Sequence, residues 1–430
     1  MAAPDDARQE APLVYRASTT APVNIAVIKS LGPPSPLALH LPAAGTPLTR
    51  LPASTRYWGK RDAALNLPTN SSLSVTLTQS ALRAHTTASC SAGYPADDSL
   101  TLNGAAHALS TPRARACLAE LRALRRELEA ASPSLPRLAR LPLRIVSANN
   151  FPTAAGLASS AAGFAALVRA VADLYALPAS PERLSRVARQ GSGSACRSLL
   201  GGFVAWRAGA AADGSDSAAA QVAPAAHWPG VRAAVLVVSA AQKDVSSSAG
   251  MQATAATSSL FAARVRDVVP PRMAAMEAAV RARDFAAFAE LAMRDSNGFH
   301  ATCADTWPPI FYMNDVSRAA VRACEAVNGA RGRLCCAYTF DAGPNAVVFY
   351  EAEDEAFVLG ALRAVLGHVD GWSTQALRYD VPDGFTLEPR IANLLERGVS
   401  RVILTGVGEG PIQVEDHLVG ERGEIRSAET

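Results

Sequence analysis

Residues 149–168 read NNFPTAAGLASSAAGFAALV, and how this stretch is read decides the fold. An apolar strand runs up to about Ala148, small residues follow around Gly156, and a helix begins near Ser159 with its first backbone N–H groups unpaired and facing the loop. Such a helix start draws negative charge, so the stretch suits a phosphate, with the Ser159 and Ser160 hydroxyls as further donors or a metal contact. The Gly-Lys-Ser/Thr ending of a P-loop and the glycine spacing of a dinucleotide fingerprint are both absent. Taken by itself, a loop of this composition serves equally well for tight helix packing in an alanine-rich chain.

Working outward, apolar alternation in NIAVIK, SSLSVTLTQS, ALRAHTTASC and DSLTLNG predicts strands, the middle ones joined antiparallel by short turns. A helix follows in residues 110–132. Ser110 or Thr111 can cap it, Pro112 suits its first position, and Leu118, Leu121 and Leu128 share one face. Strand LPLRIVSA precedes the opening stretch; a helix through Phe164 and Tyr175, a short helix from Ser180 to Gln190 and strand GGFVAWR come after it. The segment Ala208–Ala226 has the weakest pattern and is expected to be a loop near a domain boundary. Beyond it, RAAVLVVSA restarts a strand, helical patterns cover about Gln252–Arg294 and Asn314–Asn328, and strands LCCAYTFDAG and NAVVFYEA lead into helix EDEAFVLGALRAVLG. The layout is α+β in two domains, 1–226 and 227–430, rather than a βαβ repeat.

Composition excludes several functions. The balance of 41 basic against 38 acidic residues, a net charge of +3, does not fit a nucleic-acid binder. No run approaches the roughly 18 apolar residues of a membrane helix, and MAAPDDARQE is not a signal peptide. The seven cysteines lack zinc-ligand spacing and fit a reduced, cytoplasmic protein. Of the 41 basic residues only Lys29, Lys60 and Lys243 are lysine. Where arginine serves every ordinary surface charge, surviving lysines mark positions that call for a compact ammonium.

Three further stretches carry chemistry. In RQGSGSACRSLLGG, residues 189–202, Ser192, Gly193 and Ser194 offer backbone and hydroxyl donors, and Arg197 adds a planar fork suited to carboxylate or phosphate. In AYTFDAGPNAVVFY, Asp341 stands at a strand-to-turn junction, where it either points into a cleft or organises the Gly-Pro turn through its own side chain. In AQKDVSSSAGMQAT, Lys243 and three serines precede a helix, a pattern that also describes an ordinary N-cap. His300, in DSNGFHATCADTWPP, invites a general-base role, but a lone histidine among small residues reads as structural and is left out of the site.

Together, APVNIAVIK, YWGKRDAALNLPTNSSLSVTL, the opening stretch, GSGSACRSLLGGFVAW, VLVVSAAQKDVSSSAGMQ, MRDSNGFHATCADTWPPIFYMND, AYTFDAGPNAVV and RVILTGVGEGP resemble the mevalonate diphosphate decarboxylase family of the GHMP kinase superfamily. The pieces fall in family order over nearly the whole chain, except residues 30–56 and a divergent part around 370–385. The resemblance implies a two-domain GHMP kinase fold, with an N-terminal domain of the ribosomal protein S5 domain 2 type and a ferredoxin-like C-terminal domain. The last strand, near 400–406, would return to the first domain. It also implies ATP-dependent decarboxylation of mevalonate 5-diphosphate to isopentenyl diphosphate, with magnesium held mainly through the ATP phosphates, in a homodimer.

In that assignment Asp341 acts at the C3 hydroxyl as base or orienting acceptor, then stabilises the developing cation. Arg197 holds the substrate carboxylate, Lys29 keeps Asp341 charged, and Asn24 and Ser160 help to place Arg197, substrate and ATP. The substrate diphosphate is assigned to Tyr57, Trp58, Gly59, Lys60, Arg113, the run Ser192, Gly193, Ser194, Ala195, Cys196 and Arg197, and Ser248. The nucleotide phosphates are assigned to Pro152, Ala155, Gly156, Leu157, Ala158, Ser159 and Ser160. A GHMP kinase that phosphorylates without decarboxylating is the alternative.

One stretch does not fit. Residues 30–56 hold six prolines, no acidic residue and no periodicity, and they separate Lys29 from Tyr57, which the family pattern makes immediate neighbours. Loop closure costs little; the position is the difficulty, since the loop must leave and return beside the proposed phosphate groups. It reads as a translated intron or gene-model error, and as a source of impaired activity if the protein retains it.

Overall fold

The computed structural model describes residues 12–30, 65–109, 111–151, 159–238, 245, 247–372, 379 and 385–426. The first half comprises strands β1 (Tyr15–Pro22), β2 (Asn24–Ile28), β3 (Ser72–Thr76), β4 (Arg83–Cys90), β5 (Ser99–Leu102) and β6 (Ala105–His107), helix α1 (Pro112–Ala131) and strand β7 (Leu143–Asn149). It continues with helices α2 (Ser159–Leu174) and α3 (Pro181–Gly191) and strands β8 (Phe203–Trp206) and β9 (Ala219–Ala223). The second half holds strand β10 (Val231–Val237), helices α4 (Ser247–Thr257), α5 (Leu260–Ala263), α6 (Val269–Ala282), α7 (Phe285–Ala304) and α8 (Asp315–Arg331), and strands β11 (Cys336–Phe340) and β12 (Ala346–Glu351). Helices α9 (Glu355–Leu366) and α10 (Pro389–Gly398) and strands β13 (Arg401–Gly406) and β14 (Ile412–Val414) complete it.

These strands form three sheets, ordered β14-β1-β4-β7-β5-β6, β2-β3-β8-β9 and β11-β12-β10-β13. Only β5 and β7 pair in parallel. Helix α2 packs across β1 and β4, while α7 lies between sheets, against both β2 and β11. The largest buried cluster runs from Ile25 and Leu73 through Trp228 and Phe288 to Phe349. Within it Phe203, Trp228, Phe288 and Phe349 follow one another at ring spacings of 5.7, 5.8 and 5.6 Å. Aromatic contacts at such distances are rigid, so the two halves meet through core, not through a thin linker.

Local chemistry explains most element boundaries. Thr111 caps α1 by accepting the Ala114 N–H, with Pro112 in the first turn. Asn314 and Ser317 cap α8 reciprocally, and Gly332 ends it in a left-handed conformation, φ 72°.

The structure refines the expectations in several places. The buried face of α1, with Leu118 and Leu121 and the half-buried Leu128, also takes in Arg125 and Glu129. The Arg125–Glu129 pair, 2.9 Å apart, is accepted in the interior because Arg125 also donates to the Tyr175 and Pro136 carbonyls. The segment Ala208–Ala226, expected as loop, contains β9, which lacks alternation because exposed Gln221 shares the parity of buried Ala219 and Ala223 and the pairing with β8 shifts register. Strand 401–406 pairs along its length with β10 and reaches the first half at its end, where the Thr78 N–H donates to the Gly406 carbonyl at 2.9 Å and the Thr78 and Thr405 hydroxyls lie 2.9 Å apart; Ile412–Val414 continues the return by pairing with β1. Helix α10 was not anticipated, because it lies next to the divergent stretch and packs mainly on α8.

Candidate functional site

The site assembles where strands of different sheets end. Strand β2 carries a register shift between Ala26 and Ile28, and such a bulge re-aims the residues after it. Lys29 follows directly and is buried, 3% exposed. Its Nζ donates to the Ala26 carbonyl at 2.8 Å and to Asp341 Oδ1 at 2.6 Å. Asp341 follows the last residue of β11, and its side chain is 27% exposed. The turn after it closes through the main chain, the Gly343 N–H donating to the Asp341 carbonyl at 2.8 Å. Among the described contacts the Asp341 side chain engages Lys29, and the main chain closes the turn.

Arg197 lies in the tight helical turn Gly193–Leu199 and is fully buried. Its Nε donates to Asn24 Oδ1 at 3.2 Å, its Nη1 to Ser72 Oγ at 2.8 Å, and its guanidinium lies 5.8 Å from the Trp206 ring centroid. Asn24 in turn donates to Thr76 Oγ1 at 3.0 Å, and Thr76 to the Leu200 carbonyl at 2.8 Å. Among the described residues no carboxylate lies within ion-pair distance of Arg197. Burial lowers its pKa, opposed in part by the Asp341 charge. A buried cation satisfied only by neutral oxygens is an incomplete arrangement, and a carboxylate is what completes it.

The other expected residues divide into three groups. Ser192 and Ser194, their hydroxyls 3.4 Å apart, are half-buried beside Arg197, and Gly193, Ala195 and Cys196 form the same turn. A Cβ on Gly193 would come within 2.8 Å of Trp206, so the close approach of this turn requires glycine. Arg113 is partly exposed in the first turn of α1, and Ser160 is exposed in the first turn of α2. Tyr57, Trp58, Gly59, Lys60, Lys243, Pro152, Ala155, Gly156, Leu157 and Ala158 lie outside the described residues. So do the side chains of Ser159 and Ser248 and the insertion beyond Ser30.

Asp295 and Arg264 escape the sequence reading, whereas His300 is weighed there and set aside as structural. Asp295, fully buried in α7, accepts the Lys29 N–H at 2.8 Å and pairs with Arg264 at 2.9 Å and Arg272 at 3.2 Å. Arg264 and Asn70 both donate to the Lys29 carbonyl, at 3.3 and 3.2 Å. His300 donates from Nε2 to the Phe340 carbonyl at 3.2 Å. Burial, reinforced by the Lys29 charge, pushes its pKa down to about 4, so it stands neutral beside the pair. The available signal was the run Arg-Asp-Ser-Asn inside a helix otherwise rich in alanine and phenylalanine: polar groups on a buried helix face need partners.

This arrangement has relatives. A sequence model of the diphosphomevalonate decarboxylase-like N-terminal domain matches residues 52–219, and one of the mevalonate 5-diphosphate decarboxylase C-terminal domain matches residues 233–414. Diphosphomevalonate decarboxylase mvd1 of Aspergillus fumigatus is 62% identical over 422 residues, 96% of this chain and 97% of that one. A crystal structure of mevalonate 5-diphosphate decarboxylase superposes with a TM-score of 0.81 at 47% identity, covering 96% of this chain and 100% of the other. A structure of MDDEF in complex with MVAPP, AMPPCP and magnesium superposes with a TM-score of 0.65 at 28% identity, covering 94% and 100%.

Proposed function

The chain belongs to the mevalonate 5-diphosphate decarboxylase family and is an enzyme of the mevalonate pathway with the two-domain GHMP kinase fold. From that premise we propose that its site releases carbon dioxide from mevalonate 5-diphosphate at the expense of ATP, leaving isopentenyl diphosphate, ADP and phosphate. The observation that carries this reading is the buried Arg197, which has no ion-pair partner among the described residues, close to an aspartate that Lys29 holds at 2.6 Å.

A 3-hydroxy acid has no adjacent carbonyl to take up the electron pair released with carbon dioxide. Phosphorylation of its tertiary hydroxyl creates a leaving group, and ATP supplies that phosphoryl group. Lys29 engages Asp341 through Oδ1, which leaves Oδ2 for the C3 hydroxyl; Oδ2 takes its proton as the phosphoryl group is transferred and passes it on to solvent, so that Asp341 is again a carboxylate facing C3 as phosphate departs. Arg197 receives the substrate carboxylate in a dry pocket, where the bond to be broken is oriented by a fixed guanidinium. Asn24 and Ser72 set the plane of that guanidinium.

The substrate diphosphate is assigned to Tyr57–Lys60, Arg113, Ser192–Arg197 and Ser248, and the nucleotide phosphates to the loop 152–160 at the start of α2. Magnesium is assigned as a charge-neutralising ion carried mainly on the ATP phosphates, with no protein ligand assigned to it. We assign the domain boundary to 226/227 and the assembly to a homodimer in the cytoplasm. Among the described residues no helix is long and apolar enough to cross a membrane.

The test is a product assay with mevalonate 5-diphosphate, ATP and magnesium, run on the full chain and on a version joining Lys29 to Tyr57. Carbon dioxide and isopentenyl diphosphate are expected in step with ADP, faster in the shorter version. A stable phosphorylated product without gas overturns the decarboxylase reading in favour of a small-molecule kinase.

A further inference from the structure

Helix α7 touches the reacting pair from both sides without contributing a group to it. Asp295 accepts the N–H of Lys29 at 2.8 Å, and Arg264, locked on Asp295 at 2.9 Å, donates to the Lys29 carbonyl at 3.3 Å. One residue further, Ser296 Oγ accepts the N–H of Phe340 at 3.1 Å, and a turn beyond that His300 donates to the Phe340 carbonyl at 3.2 Å. Phe340 immediately precedes Asp341. Both main-chain polar groups of Lys29, and both of the residue before Asp341, are therefore held by this helix or by an arginine anchored on it.

Helical geometry makes the arrangement possible. Ser296 and His300 are four residues apart and form one stripe, which meets β11; Asp295 lies about 100° around the helix axis and meets the end of β2. Strand β11 is an edge strand, and an edge could be covered by many kinds of contact. Here the bonds fall at its last residue and at Lys29. His300 is wedged between Phe299, at 5.0 Å, and Phe340, at 6.2 Å, so its donor has little freedom to move.

We propose that Asp295, Ser296 and His300 are positioning residues, and that α7 is the bar that fixes the approach of Lys29 to Asp341 across two sheets. The proposal rests on the decarboxylase reading of the Lys29–Asp341 pair. In a helix that spans both strands, a small shift at either contact changes the separation of ammonium and carboxylate directly, whereas the contacts of Arg197 with Asn24 and Ser72 are untouched.

The experiment measures kcat, both KM values and the thermal midpoint for wild type, His300→Phe, His300→Gln and Ser296→Ala. Glutamine presents an amide donor near the position of imidazole Nε2; phenylalanine fills the space and donates nothing. His300→Phe is expected to lose roughly 10- to 100-fold in kcat with both KM values unchanged, His300→Gln to recover most of it, and Ser296→Ala to show a smaller loss of the same kind. Equal kcat for the two His300 variants overturns the proposal, as does a loss confined to KM or one that follows the thermal midpoint across the series. If His300→Phe does not fold, Ser296→Ala against His300→Gln decides by the same split. Absence of carbon dioxide release by the wild type defeats the underlying reading instead, so the two failures are distinct.

Discussion

Two of the buried cations among the described residues of the site, Lys29 and Arg197, are handled in opposite ways. Lys29 is neutralised within the protein by Asp341, whose side chain remains 27% exposed. Arg197 is fully buried against neutral oxygens from Asn24 and Ser72. A self-neutralised pair with an open face is suited to acting on something that arrives; a desolvated cation without a counter-charge is suited to binding it. The sharpest way to break this contrast is Asp341→Asn, which keeps shape and removes charge. Turnover is expected to fall by about 10²- to 10⁴-fold with the KM for mevalonate 5-diphosphate little changed, because Arg197 and the diphosphate contacts remain. A dominant rise in KM in steady-state assays would move Asp341 from chemistry to binding.

Acid should strike the two regions unequally. His300 faces Lys29, Asp341 and Arg264, and its pKa is depressed to about 4 in the folded protein against roughly 6.5 when unfolded. Between those values the unfolded chain binds more protons than the folded one, so stability is lost as pH falls from 6.5 to 4 and is unaffected by this group above that window. The shift corresponds to roughly 3 kcal/mol. Urea unfolding of wild type and His300→Gln at pH 7 and pH 4.5 isolates the contribution, since His85 and His417, which burial also depresses, are common to both. The Arg197 side has no titrating partner among its hydrogen-bonded neighbours. Parallel stability-pH curves for the two proteins would remove His300 from the account.

The same two regions were unequally legible in the sequence. Asp341 and Arg197 could be named because each stands at a local break, one where a strand meets Gly-Pro, the other in a glycine-serine turn, and such breaks are visible as composition. Lys29 was legible as a rare lysine at a strand end. Asp295, Ser296 and Arg264 were not, because they act across separations of 266, 44 and 235 residues, and no local pattern tells a buried helix face that must serve a distant backbone from a solvated one. Composition failed in one more way: β9 is alanine-rich and shifts register against β8, so no alternation betrays it as a strand. The order of elements was readable because capping and turn chemistry is local; the pairing of Ile412–Val414 with β1 was not, because register across the whole chain is a tertiary choice.

Charge removal separates the cations thermodynamically. Lys29→Met strands the Asp341 carboxylate, though its partial exposure tempers the penalty, and a loss of about 1–2 kcal/mol is expected. Arg197→Met removes a desolvated charge that has no carboxylate partner among the described residues and sacrifices only bonds to neutral oxygens, so stability should stay within about 1 kcal/mol of wild type. Both variants are inactive in this scheme, and the discriminating measurement is therefore denaturant unfolding rather than turnover. A larger loss for Arg197→Met than for Lys29→Met would mean that the guanidinium is already compensated, and the binding role argued for it would lose its physical basis.

The smallest effect tests the finest detail, the aim of the guanidinium. Ser72 and Ser74 lie two residues apart on β3, both fully buried, yet only Ser72 Oγ accepts from Arg197, at 2.8 Å; Ser74 Oγ donates to the Val204 carbonyl at 3.4 Å. Removing one neutral acceptor is worth about 1 kcal/mol, so Ser72→Ala should raise the KM for mevalonate 5-diphosphate by roughly fivefold, with a lesser change in the KM for ATP. Ser74→Ala removes a buried hydroxyl from the same strand without touching Arg197 and should leave both constants near wild type. Equal effects in the two variants would assign the change to the strand, and the orientation of Arg197 would then have to be set by Asn24 alone.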